Sequence, residues 1–240
     1  MPLPTIAIPE YSLKMPSTGK KVNYRPFVVK EEKMLLMALE SGQGNDMLDA
    51  MASVVTACTN GKVDPQKSPL FDIEYLFLHL RLKSIGEKIE FTIPCKECKE
   101  TCKINFNLDS MKMDTPEEGS NKIEINTTMG MMMKYPTLAE AKKYDGKSEA
   151  EAAFGVITDC IESIYDEDEV YSTKDYTEDE LKEFVDNLPP AAFKQITEFM
   201  ENSPKLEHTL KYKCPHCGHA NEWHLEGLED FFTYISSTTV

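Results

Sequence analysis

The sequence has no G-x-S-x-G elbow, no glycine-rich phosphate loop, no dinucleotide-binding glycine motif and no H-E-x-x-H helix. Its five histidines are scattered among knuckle, core and strand positions. No nucleophile constellation is written in the chain, so we expect a protein that is not an enzyme and takes no small-molecule substrate. Arginine is nearly missing too: Arg25 and Arg81 are the only two. Arginine is the usual base-reading side chain, and the formal net charge of −15 repels phosphate backbones at long range. Lys96, Lys99, Lys103, Lys211 and Lys213 run the other way. They keep a zinc-ribbon nucleic-acid-associated factor as the alternative function. No apolar run approaches the ~18–20 residues of a membrane span, and no N-terminal stretch has the form of a signal peptide. The expected setting is a reducing cytosol, or a particle built there.

What is present is a pair of cysteine motifs with identical spacing, Cys95-Lys-Glu-Cys98 and Cys214-Pro-His-Cys217. Each lies between alternating apolar and polar residues. Ile89, Phe91 and Ile93 precede the first, and Ile104, Phe106 and Leu108 follow it. Leu210 and Tyr212 precede the second, and Trp223 and Leu225 follow it. A period of two marks strands with one buried face. A two-residue gap between cysteines makes a tight knuckle that aims both sulfurs at one point. Two such hairpins supply four thiolates for tetrahedral Zn²⁺, the pattern of a zinc ribbon, here interrupted by a long insertion. Four cysteine ligands leave no open coordination position, which argues for a structural metal. Coincidental motifs and redox dithiols are the competing readings. Pro215 and Gly218 suit the second knuckle's turn, whereas Lys99 stands where the first would want glycine. His216 and His219 are alternative ligands, while Cys102 falls beyond the knuckle at the start of a strand. With four of seven cysteines assigned, Cys58, Cys102 and Cys160 remain, an odd number that argues against a disulfide framework. Cys58 and Cys160 fall on the apolar stripes of predicted helices, as small buried hydrophobes do.

The negative charge is concentrated. Between Ile161 and Asp186 eleven acidic residues face only Lys174 and Lys182. A calcium loop at Asp166-Glu-Asp168-Glu fails because Tyr171 stands where the sharp turn needs glycine. A solvated face or a docking patch for a basic partner remains.

Along the chain, residues 1–30 read as a proline-spaced arm and a β-hairpin turning at Pro16-Ser17-Thr18-Gly19. Residues 31–86 form a helical layer. Helices are predicted at Glu31 to Ser41 and Asp46 to Thr59, and a third is opened by Ser68 as cap and Pro69 as first residue. That third helix is apolar on nearly every side, with His79 as a lone polar residue. Residues 87–108 and 206–226 make the split ribbon. The insertion, 109–205, is expected to be mostly helical. It contains a strand at Ile123-Glu-Ile125, a Met129–Met133 cluster read as core filling or partner surface, and capping boxes at Thr137 and Thr177. One helix is predicted to carry Phe154, Ile157, Ile161 and Ile164, and another Phe193, Ile196, Phe199 and Met200. Residues 227–240 suggest a short C-terminal helix and tail. The fold class is α+β: a split four-Cys zinc ribbon with a large helical insertion, preceded by a β-hairpin and a helical layer.

Four segments carry a family likeness: L-K-M-P-S-T-G-K-K-V-N-Y-R-P-F-V-V-K-E-E-K-M-L-L-M-A-L-E-S at 13–41, the paired knuckles, C-I-E-S-I-Y-D-E-D-E-V-Y at 160–171, and F-V-D-N-L-P-P-A-A-F-K-Q-I-T-E-F at 184–199. In these the chain resembles the baseplate hub and hub-assembly proteins of T-even-type tailed bacteriophages, in the same order over nearly its whole length. The resemblance implies a component or assembly factor of the hub from which the tail tube grows, where "catalyst" means promoting assembly. It brings no catalytic residues. It implies other baseplate hub proteins as partners, which the acidic stretch 162–186 is placed to contact. The implied setting is the host cytoplasm during assembly and the virion tail baseplate.

Overall fold

Two short strands, β1 (Tyr11–Lys14) and β2 (Lys21–Tyr24), pair antiparallel with Leu13 opposite Val22. The computed structural model describes residues 6–42, 44–111, 113, 115–116 and 119–227. Three helices follow: α1 (Val29–Ser41), α2 (Gly44–Cys58) and α3 (Leu70–Ser84). The hairpin β3 (Lys88–Pro94) and β4 (Thr101–Asn107) comes next, then β5 (Lys122–Glu124) and β6 (Gly130–Met133). Helices α4 (Leu138–Lys143) and α5 (Glu149–Asp159) lead to β7 (Ile161–Tyr165) and β8 (Val170–Ser172). Helices α6 (Glu178–Asp186) and α7 (Pro190–Glu201) precede the last hairpin, β9 (Glu207–Lys213) and β10 (Ala220–Glu226). Helix and antiparallel sheet are thus mixed, as the sequence pattern indicates. Contacts divide the chain into two units. The first comprises Met1–Asp64, Phe71–Asp114 and Lys205–Val240; the second comprises Pro65–Leu70 and Thr115–Pro204.

The first unit is organised on α3, whose Ile73, Leu76, Phe77 and Leu80 are fully buried together with Phe91 and Ile93 of β3. Apolar residues at nearly every position of α3 leave no solvent face, so the helix must be surrounded. Asp72 is the buried exception. It accepts a 2.9 Å bond from the Ser17 backbone N–H and a second from the Ser17 hydroxyl, so the β1–β2 turn is tied to the helix. The turn itself closes through Gly19 N–H to Met15 carbonyl at 2.8 Å, with Gly19 at φ +65°.

The R-P-F segment has a packing explanation. Arg25 Nη2 donates to Glu31 Oε1 at 2.9 Å, and Glu31 Oε2 accepts from the Val28 N–H at 3.0 Å. One buried carboxylate therefore caps α1 and holds the guanidinium. Phe27 is buried, and its N–H donates to Ser84 Oγ at 2.8 Å, which sets the start of α1 against the end of α3.

The second unit takes most of its regular structure from helices α4, α5, α6 and α7, but it adds a sheet larger than the one strand expected. Its centre is a four-stranded antiparallel sheet in the order β5-β6-β7-β8, with α4 and α5 between β6 and β7. The methionine cluster is strand β6, where Met131 and Met133 are fully buried at a period of two: core filling, not an exposed surface. The helix expected to run through Ile161 and Ile164 stops at Asp159, and both isoleucines lie in β7. Phe154, assigned to that helix's buried stripe, is half-exposed and stacks on Phe193. Ile161-Glu-Ser-Ile-Tyr165 is rich in β-branched and aromatic residues and is followed by a turn, so hairpin chemistry overrode an apparent helical spacing. The capping boxes at Thr137 and Thr177 are both formed. Pro69 bridges to Thr137 and α3 starts one residue later than expected. The C-terminal helix expected after Leu225 falls outside the described residues, and Leu225 itself lies in β10.

Glu31 generates a test. Burial alone would raise its pKa, but the Arg25 guanidinium and the Val28 N–H hold it below the usual carboxylate value. With a depressed folded-state value, the stabilisation is present above the unfolded carboxyl pKa of about 4.3 and is lost as pH falls through the folded value. Glu31→Gln is expected to cost about 3 kcal/mol at pH 7, since it leaves Arg25 unpaired. The gap to the parent should shrink by pH 3, read from urea midpoints at the two pH values.

Candidate metal centre

The two knuckles are built alike. In the first, Cys95 N–H donates to Glu100 carbonyl at 2.9 Å and Lys99 N–H to Cys95 carbonyl at 3.0 Å. In the second, the matching bonds are Cys214 N–H to His219 carbonyl at 2.9 Å and Gly218 N–H to Cys214 carbonyl at 2.9 Å. Gly218 takes φ +74°, and Lys99 takes φ +63° in the equivalent place despite its side chain. That backbone state costs a lysine about 1 kcal/mol or more. Its Nζ bonds the Lys96 carbonyl at 2.7 Å, across the same turn.

The hairpins β3–β4 and β9–β10 bring Cys95, Cys98, Cys214 and Cys217 together, with all four sulfurs within 4.8 Å of one another. Cys95 Sγ lies 3.7 Å from Cys217 Sγ, and Cys98 Sγ lies 3.6 Å from Cys214 Sγ. These separations are far too long for disulfides, whose S–S bond is about 2.05 Å. They match the edge of a sulfur tetrahedron around Zn²⁺, about 3.8 Å for Zn–S bonds near 2.3 Å. The cluster could hold a metal ion, and its donor set fits one that prefers thiolate. Cys95 and Cys214 are buried, Cys98 is half-buried and Cys217 is exposed. His216 and His219 are exposed and lie outside the cluster.

Asn221 is the residue that sequence reasoning missed. Its buried amide accepts from the Lys96 N–H at 2.9 Å and donates to Cys95 Sγ at 3.4 Å and to the His219 carbonyl at 3.1 Å. One side chain from the second hairpin thus satisfies the backbone of the first. No motif announces it; an asparagine three residues past a knuckle glycine is the whole signal. Cys102 was placed beyond the knuckle, and it does sit on β4, but its buried Sγ is 3.7 Å from Cys214 Sγ.

Four thiols this close cannot all ionise without a cation. Burial would raise Cys95, yet the Cys98 N–H and the Asn221 amide bring it down to about 6. The Glu100 N–H would lower Cys98, but burial and the neighbouring cysteines push it up to about 12. Burial and Cys214 push Cys102 up to about 11. Negative charge is favoured on Cys95 and Cys214 and disfavoured on Cys98 and Cys102, and a bound cation would favour it on every sulfur it touched.

The lysines near the knuckles are partly neutralised. Lys103 pairs with Glu90 and Lys211 with Glu222, each at 2.9 Å. The acidic stretch lies in the second unit on β7, β8 and α6. Asp166 is consumed by its own turn: Oδ1 accepts from the Asp168 and Glu169 N–H groups at 2.9 Å, and Oδ2 accepts from Tyr171 Oη at 2.9 Å. Glu167, Asp168 and Glu169 are exposed. Glu178 pairs with Lys143 and with Lys182.

No helix among the described residues is long and apolar enough to cross a membrane. No curated protein and no solved structure matches the chain. One family does, the T4 bacteriophage base plate protein, over residues 8–233. That span takes in both knuckles, the Arg25–Glu31 pair and the acidic hairpin, and the chain belongs to this family of T4-type phage baseplate proteins.

Proposed function

We propose that this chain is a non-enzymatic structural or assembly protein of the baseplate's central hub, carrying one structural Zn²⁺ on Cys95, Cys98, Cys214 and Cys217. The observation that carries the reading is the family match over residues 8–233, which implies association with the tail baseplate and with other baseplate proteins. The hub role rests on the segment likeness, above all at residues 13–41, and assembly would take place in the host cytoplasm. The zinc reading is supported by four sulfurs at tetrahedral spacing in two matched knuckles. When bound, the ion supplies a positive charge that keeps all four thiols ionised. The protein's part is to bring the sulfurs together and to hold Cys95 through Asn221. A closed four-sulfur site has no position for water or substrate, which suits a clasp rather than a catalyst.

Three outcomes follow. Protein purified without chelator should contain one zinc per chain by elemental analysis. Cys217→Ser should lose the stoichiometric metal and lower Tm by roughly 10 °C or more; full metal content in that variant would refute the ligand set. Deletion of the gene from its phage should leave heads without complete tails in electron micrographs, whereas normal tails would refute the assembly role. The acidic hairpin is proposed to meet a basic surface of a neighbouring hub protein through Glu167, Asp168 and Glu169, with Asp166 left to hold the turn. Changing these three to Gln or Asn should slow hub formation and weaken its salt dependence, with the fold intact by circular dichroism. Unchanged rate and salt sensitivity would mean a solvated face only.

A further inference from the structure

The two hairpins match one another residue by residue around the cluster. Each first cysteine lies against the second cysteine of the other knuckle, Cys95 with Cys217 and Cys214 with Cys98. Thr101 and Ala220 open the return strands β4 and β10 at the same remove from Cys95 and Cys214. Seven residues after Cys95 stands Cys102, and seven after Cys214 stands Asn221. Both are the second residue of a return strand, and both are buried. Cys102 is therefore the counterpart of Asn221, although the two side chains are unlike.

The contacts follow the same exchange. Asn221, on the second hairpin, donates its amide to Cys95 Sγ of the first at 3.4 Å. Cys102, on the first hairpin, donates its S–H to Cys214 Sγ of the second, with the sulfurs 3.7 Å apart. The Glu100 carbonyl, also 3.7 Å from Cys102 Sγ, competes for that proton, but it already accepts the Cys95 N–H. A thiolate is the stronger acceptor of the two, because it is charged. Shut away from water, it needs such donors. The choice of side chain has a cause as well. Asn221 Oδ1 accepts the Lys96 N–H at 2.9 Å. In the second knuckle the place of Lys96 is taken by Pro215, which has no N–H to satisfy. A side chain facing that knuckle needs a donor and no acceptor. A buried thiol supplies one without leaving a carbonyl idle.

We infer that Cys102 is a positioning residue of the metal centre: its S–H holds the Cys214 thiolate as the Asn221 amide holds Cys95, so each hairpin secures the other's first ligand. The inference rests on the metal reading of the four cysteines. Cys102 stands outside the set whose sulfurs all lie within 4.8 Å of one another, so it touches a ligand and not the ion. Partners of this kind orient the ligands and tune their basicity.

The test loads the full chain with Co²⁺, whose sulfur-to-metal charge-transfer band reports the electrons on the ligand sulfurs. Cys102→Ala should keep one ion per chain and bind it about tenfold more weakly, in competition with a chelator. Its charge-transfer band should move to lower energy, because a sulfur that loses a hydrogen bond gives up its electrons more easily. Cys102→Ser, which keeps a donor, should restore both affinity and band. Cys102→Val, which fills the space without a donor, should behave as the alanine variant does. A valine variant with the parent's affinity and band overturns the inference, whatever happens to Tm, and leaves Cys102 as packing. Failure of serine to restore the band overturns it too. Loss of the ion from Cys102→Ala would make Cys102 a ligand rather than a positioning residue. A parent that binds no Co²⁺ overturns the metal reading and this inference with it; a parent that binds beside unchanged variants overturns the inference alone.

Discussion

Bringing Cys98 and Cys214 together is the constraint on which the first unit depends, because everything between them in sequence must leave and return. Loop-closure entropy grows only slowly with length, so a long excursion is tolerated once the ends are held. The ends here are held by groups of different kinds. Asn221 joins the knuckles by hydrogen bonds from one amide to Lys96 and Cys95, and Tyr212 packs against the sulfurs. Each hairpin alone is a two-stranded ribbon, an element that is marginal in water. Packed on α3 through Phe91, Leu210 and Leu225, both acquire a buried face. The insertion has its own sheet and its own core of Met131, Ile161, Ile196 and Phe199.

The closeness of the four sulfurs is electrostatically unfavourable once they ionise. Sulfurs 3.6–3.7 Å apart force any negative charge to be shared, and the first proton lost raises the cost of the next. Backbone N–H groups of the knuckles and the Asn221 amide stabilise charge on Cys95 and Cys214, one sulfur on each hairpin. The site is thus polarised towards a cation before one arrives. Cys102, buried with its sulfur 3.7 Å from Cys214 Sγ, is held towards the neutral thiol by burial and by that neighbour.

Much of this was legible in the sequence where one signal was unopposed. The alternating flanks, the all-round apolar α3 and the two capping boxes each had a single physical interpretation, and the matched knuckle spacing placed four cysteines on two hairpins. The failures came where two periodicities overlapped. Phe154, Ile157, Ile161 and Ile164 fit a helix by spacing, but the chain switches to strand after Cys160, and a bulge in the pairing of β7 with Met132 and Met133 lets two isoleucines three residues apart both be buried. Met131 and Met133 likewise alternate, and a cluster of four methionines hid that alternation. Asn221 was illegible for another reason: its role is set by a backbone N–H far away in sequence, and no local pattern encodes that.

The two arginines show how the chain distributes its few strong directional cations. Arg25 is spent internally, on a buried carboxylate that also caps α1, and this accounts for the family-like R-P-F segment without invoking a partner. Arg81 is held by the same unit without an answering carboxylate among the described residues. In the second unit the imbalance has the opposite sign. Asp166 is internalised by its turn and Glu178 by two lysines, which leaves Glu167, Asp168 and Glu169 around the exposed Val170. The second unit therefore keeps three exposed carboxylates beside an exposed apolar side chain. A protein whose charges were tuned only for solubility would have no reason to withdraw Arg81 from water or to order the acidic tip on a hairpin.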